Sequence, residues 1–239
     1  MRGRARRGGA LPLYLQISEL LTREIAAGLW PDGARLPTEA DLASQLGVAV
    51  GTLRKALSVL ETRGLVVRVQ GSGTYVRGRI KSGSIYELFH LELRNGAGLP
   101  TAQILSLDLM AHPGYAPPFG EGSSQQAWRV RRLRRLGGVP AALEEIWFDA
   151  RHAPRLQVES IAESMHLFYK EKLGFWITRV EDRITMAPCP DFGPPGTPFI
   201  AGAPLGRVTR ISWSNANTIE EYSQNWYDPA TVDYVARWQ

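Results

Sequence analysis

The chain holds one cysteine, Cys189, among 239 residues. An intramolecular disulfide is therefore excluded, and a reducing cytoplasm is the expected home. One cysteine and four scattered histidines make no metal-ligand cluster, so neither a metal nor another cofactor is expected. No apolar run approaches the roughly 20 residues needed to cross a bilayer, and no membrane partner is expected. A phosphate-cradling glycine loop with its Lys and Ser/Thr is missing, as is a serine nucleophile elbow. The start, MRGRARRGGA, lacks the apolar stretch of a secretory signal and reads as a flexible basic tail over residues 1–10.

What the chain does have is unevenly placed. Its formal net charge is +5. Residues 1–79 carry 12 Lys/Arg against 6 Asp/Glu, whereas residues 80–239 carry 16 against 17. The whole basic excess lies in the first third. That asymmetry fits a polyanion-binding module joined to a larger, near-neutral partner domain; a solvated arginine-rich surface is the plainer alternative.

In the first third, Ile17, Leu20, Leu21 and Ile25 form one helical stripe closed by Gly28. LPTEADLASQLG follows, with Thr38 and Asp41 spaced as a capping box and Leu42, Ala43 and Leu46 as the buried side. After Gly47, Leu53, Ala56, Leu57 and Leu60 mark a third helix that ends at Gly64. LVVRV (65–69) and TYV (74–76) then read as strands joined by the tight turn Gln70-Gly71-Ser72-Gly73. Three short helices and a hairpin make a winged helix-turn-helix.

PLYLQI, LPTEADLASQLGV, TLRKAL, LETRGLV and GSGTYV, in that order and spacing, resemble the DNA-binding domain of GntR-family transcriptional regulators. The resemblance covers roughly residues 11–77. It implies a third helix laid in the major groove of operator DNA, with the wing tip near the minor groove. The candidate DNA-binding residues are Thr38, Ala49, Val50, Gly51, Thr52, Arg54, Lys55, Gln70, Gly71 and Ser72. Thr52, Arg54 and Lys55 suit phosphates; Arg54 also matches the arginine of the family's helix. Where family members frequently carry Ser-Arg or Thr-Arg, this chain has Ala49-Val50, and it has Ala40 in place of a basic residue. The methyl groups of Ala49 and Val50 suit a thymine methyl rather than a guanine edge, with packing inside the protein as the alternative for Val50.

Residues 78–85 read as a linker and residues 86–239 as a second domain. There QILSLDL, AWRVRRLRRL, AALEEIWF, WITRVEDRITM, GRVTRISWS and TIEEYSQNWY read as strands, and 160–173 as a helix between them. The fold class is α+β, mostly antiparallel in its C-terminal part. RRLRRLGGVPAALEEIWF, SMHLFYKEKLG and TIEEYSQNWYDPATVDY resemble the UTRA effector domain, which implies a chorismate-lyase-like fold and a small-molecule effector site. The candidate effector-binding residues are Arg132, Arg134, Glu144, Ser164, His166, Glu221 and Tyr227. Strand alternation puts Arg132 and Arg134 on the face of Trp128 and Val130, and a buried arginine requires an acidic partner or an anionic ligand. Glu144 and Glu221 are the partners considered, and an internal ion network without ligand is the alternative reading. Ser164 suits a helix cap, with or without a ligand. His166 and Tyr227 are as consistent with ordinary packing.

Together these readings give a cytoplasmic, non-enzymatic transcriptional regulator, expected to be a homodimeric repressor released from DNA by an effector, with a lean towards an anionic one. An enzyme of lyase-like fold bearing a basic appendage is the rival, and a DNA binder without sequence preference is a third reading.

Overall fold

The computed structural model describes residues 11–77, 88–94, 96 and 98–237. The basic tail and the linker expected at 78–85 lie outside the described residues. The chain divides into two compact units, Leu11–Leu99 and Pro100 onward.

In the first unit, α1 (Leu13–Ala26), α2 (Glu39–Gln45) and α3 (Val50–Thr62) precede the hairpin β1 (Val66–Val69) and β2 (Gly73–Val76). One core gathers Ile17, Leu21, Ile25, Leu42, Leu53, Leu57, Leu60 and Val76, with Leu20 only half-buried. Leu53 and Leu60 are wholly enclosed, so truncating either to alanine costs about 2–5 kcal/mol. Thr38 caps α2, its hydroxyl accepting from Asp41 N at 3.2 Å. Gly47, at φ 64°, makes the tight turn between α2 and α3 without the strain a Cβ would add there.

The wing is broader than a hairpin. Arg35 forms an antiparallel bridge to Tyr75, and Leu36 N and Val76 N donate to Thr74 O and Ala34 O. Beyond the hairpin, Arg23 of α1 donates to the carbonyls of Phe89 (3.0 Å) and Leu91 (2.7 Å), the latter opening the short strand β3 (Leu91–Leu93).

The second unit is built on β4 (Pro100–Ala111), β5 (Gln126–Leu136), β6 (Val139–Asp149), β7 (Ile177–Pro188), β8 (Pro204–Ser214) and β9 (Ile219–Tyr227). They form one antiparallel sheet in the order β4-β5-β6-β9-β8-β7; β10 (Val232–Tyr234) ends the succession of elements. The helix expected over 160–173 is shorter. Val158–Ser160 is a 3-10 turn, α4 spans Met165–Phe168, and Tyr169–Leu173 continues as a π turn. On one face, Trp128, Val130, Ile146 and Phe148 pack under Ile161, Met165, Phe168, Tyr169 and Phe175. On the opposite face, Leu133, Leu143 and Trp226 pack under Phe199, and Ala127, Trp147 and Tyr222 under Ala116 and Phe119. The proline-rich runs 112–123 and 189–199 supply those covers. No helix among the described residues is long and apolar enough to cross a membrane.

Candidate nucleic-acid interface and effector site

α3 opens at Val50, with Ala49 as an N-cap that offers no side-chain hydrogen bond. Its first N–H groups are therefore left for an outside acceptor, on the end of the helix that favours anions. Ala49, Val50 and Gly51 are exposed and Thr52 is half-buried. Val50 is 37% exposed and absent from the core, so the packed alternative for its side chain does not hold. Arg54 and Lys55 are exposed on the next turn. Arg54 is already engaged: its Nε donates to Glu39 Oε2 at 2.9 Å. Gln70 and Gly71 are exposed at the wing tip, and Ser72 is tied to Tyr75 through their hydroxyls at 2.7 Å.

A cleft of about 450 Å³ lies between the start of α2 and the wing, lined by Arg35, Thr38, Glu39, Arg68 and the turn residues Gln70–Gly73. Arg35 and Arg68 escaped the sequence reading. Arg68 donates to Arg54 O at 3.2 Å and approaches Glu39 and Glu61. Its signal was the polar position in LVVRV, which strand alternation marks as a site of different surroundings from its valine neighbours.

In the second unit, β5 and β6 place Arg132 directly across from Glu144. Arg132 Nη2 lies 2.7 Å from Glu144 Oε2, and Arg134 reaches the same carboxylate with Nε at 3.1 Å and Nη2 at 3.2 Å. All three side chains are buried. Both guanidinium groups also donate to Glu163 O, at 3.2 and 3.3 Å. Two cations thus share one carboxylate, and Arg132 Nε is buried with no hydrogen-bond acceptor among the described residues. Burial by itself would raise the Glu144 pKa, but Arg132 and Arg134 outweigh it and hold the carboxyl below its ordinary range. Burial pulls Arg132 down in turn, and Glu144 opposes that pull.

Glu221 makes no direct bond to Arg132 or Arg134 among the described residues, although its charge acts on Arg132 and Arg210. It stands across from Phe148 on β9, four residues along β6 from Glu144, and accepts instead from Tyr169 OH at 2.7 Å and Ser212 Oγ at 3.1 Å. Burial and this carboxylate together push the Tyr169 phenol well above its ordinary value. Ser164 caps α4, accepting from Leu167 N at 3.3 Å. His166, half-buried in the same turn, is pushed down to about 4 by desolvation and by the guanidiniums of Arg210, Arg132 and Arg134, against the pull of Glu221. Tyr227 lies across from both Ala142 and Gly206, and a Cβ on Gly206 would come within 2.6 Å of its ring. Arg210 makes two 2.6 Å bonds to Asp182 on the same face.

The effector candidates thus share one face of the sheet or the helical segment covering it. Tyr169, Ser212, Arg210 and Asp182 join them without having been singled out from sequence. Of the tryptophans, Trp147 lies on the opposite face, and Trp176 is 49% exposed.

Residues 13–76 match the family model of bacterial regulatory proteins of the gntR family, and residues 97–233 match that of the UTRA domain. This chain belongs to that family: it is a DNA-binding transcriptional regulator with a C-terminal effector domain. It is 45% identical over 230 residues to the HTH-type transcriptional regulator SmoD of Agrobacterium fabrum, covering 96% of this chain and 97% of that one. It is 30% identical to the mannosyl-D-glycerate transport/metabolism system repressor MngR of Escherichia coli, over 74% of this chain and 75% of the relative. The crystal structure of YydK from Bacillus subtilis shares the fold at a TM-score of 0.54 and 21% identity, with 96% and 100% of the two chains covered.

Proposed function

We propose that this regulator is a homodimeric, cytoplasmic repressor that leaves its operator when an anionic small molecule binds the second domain. In this reading the headpiece spans 11–77, the linker 78–85 and the effector domain 86–239. Ala49, Val50 and Gly51 meet base edges; Thr52, Arg54, Lys55 and the start of α3 meet phosphates; and the wing tip with Thr38 flanks them. Two headpieces occupy half-sites about one helical turn apart on a palindrome. Effector binding favours a headpiece spacing that no longer fits, which requires the effector to bind one state better than the other.

The observation that carries the anionic reading is the pair of buried guanidiniums sharing Glu144, with Arg132 Nε left without an acceptor among the described residues. A buried guanidinium with an unfilled donor favours an acceptor, such as an anionic group, beside it. Ser164, His166, Glu221 and Tyr227 complete the proposed site. The E. coli relative is named for a mannosyl-D-glycerate system, and a glycerate bears a carboxylate, which supports the same class. The relatives named above are regulators, which supports sensing over turnover.

The test is a gel shift on the protein's own upstream region, with random competitor at fixed salt, followed by addition of acidic metabolites. Arg132→Ala is expected to abolish release while leaving operator affinity intact. Induction that survives the substitution would remove Arg132 from the effector site.

A further inference from the structure

β7 is a 12-residue strand at the end of the sheet order, with β8 on one side and no strand on the other among the described residues. Edge strands of this length are ordinarily blunted by charged side chains, by a bulge, by proline within the strand or by a covering element. β7 has a bulge at its start and four charged residues, but these are two acidic and two basic, so the edge repels neither sign as a whole, and its sole proline is the last residue, Pro188. Apolar side chains stand open on it: Ile184 is 52% and Met186 64% exposed.

The strand is also complementary to itself. A continuous sheet made across a two-fold axis pairs residues on the same face, so the axis must pass through a residue. Through Asp182, the overlap runs over nearly the whole strand, from 177 to 187. Glu181 then opposes the partner's Arg183, and Arg183 opposes the partner's Glu181. On the other face, Val180 meets the partner's Ile184. Through Arg183, the overlap is equally long but sets arginine against arginine. Through Val180, Arg179 meets the partner's Glu181, but the overlap shrinks to 177–183; the register break between Ile177 and Arg179 falls inside this overlap and the Asp182 one alike.

Glu181 and Arg183 already pair within the chain at 2.9 Å, with side chains 46% and 72% exposed. Docking through Asp182 closes them into a ring of four alternating charges. The two Asp182 carboxylates approach each other at the axis, but each is turned to its own sheet and neutralised by Arg210, with a further hydrogen bond from Tyr234.

We infer that β7 is the surface on which a second copy of this chain docks, edge to edge and antiparallel about Asp182. The inference rests on the homodimer reading above and names its interface. Sedimentation equilibrium on the full chain, free of DNA and effector, tests it. Arg183→Glu puts an acidic side chain opposite the partner's Glu181 twice and is expected to weaken dimerisation about tenfold at low salt. Adding Glu181→Arg restores opposite charges and is expected to restore the dimer. Ile184→Lys, at an exposed position, is expected to weaken it independently. A wild-type dimer untouched by both single substitutions would overturn docking through β7 while leaving the homodimer reading intact. A wild-type chain that stays monomeric at every concentration, and on a palindromic operator, would overturn both.

Discussion

Arg132 and Glu144 face each other across β5 and β6 with 2.7 Å between guanidinium and carboxylate, and Arg132 Nε beside them has no acceptor among the described residues. The pair is set by strand register rather than by nearness in sequence. Because Arg134 draws on the same carboxylate, Glu144 holds two charges in place at once.

Glu144→Gln should therefore be costly. Removing one partner of a buried ion pair typically costs about 3–5 kcal/mol, and urea unfolding at neutral pH should read a loss of that order. The Glu144 carboxyl is held below its ordinary value of 4.5 in the fold, so its contribution is full above that value and is lost as pH falls through the lower folded pKa. The gap between wild type and variant should narrow below about pH 4.5. A variant within about 1 kcal/mol of wild type at neutral pH would mean that water or another group replaces the carboxylate.

His166 gives a second pH signature. The unfolded chain takes up its proton near 6.5, whereas the folded histidine does so only near 4. Its folded pKa is depressed, so wild-type stability should fall as pH drops from about 6.5 towards 4, and His166→Gln should flatten that slope. An anion bound beside the ring would raise the imidazole pKa, so effector binding near pH 5.5 should take up protons. NMR titration of the imidazole with and without effector measures both effects; an unmoved resonance would place the ligand elsewhere.

At the DNA, Val50 and Arg54 should separate two kinds of contact. Arg54→Ala should weaken binding to all sequences alike and flatten the log–log salt dependence by about 0.9. Val50→Arg should instead change which sequence is preferred, since it replaces methyl groups with a donor fork suited to guanine. Selection from a randomised half-site reads this directly. An unchanged preference at equal affinity would remove Val50 from base contact.

Much of this was legible because burial follows simple periods. Leu53, Ala56, Leu57 and Leu60 announce α3, and alternation with Trp128 and Val130 turns Arg132 inward. Which carboxylate Arg132 meets was not legible, because Glu144 and Glu221 sit on strands brought together only by register. Tyr169 was hidden for a related reason. Its hydroxyl belongs to a segment wound as a π turn, a geometry that an ordinary helical period does not indicate. Arg35 and Arg68 are 33 positions apart in sequence and share a cleft only because the chain before α2 bridges to β2.

That bridge has a mechanical consequence. Arg35 and Leu36 are stitched to β2, and two residues later Thr38 caps the helix that leads into α3. The wing cannot swing on its own hinge without tearing hydrogen bonds from the stretch that starts α2. If α3 and the wing meet the duplex as proposed, they do so tied together, and an operator that does not match their spacing has to bend to reach both.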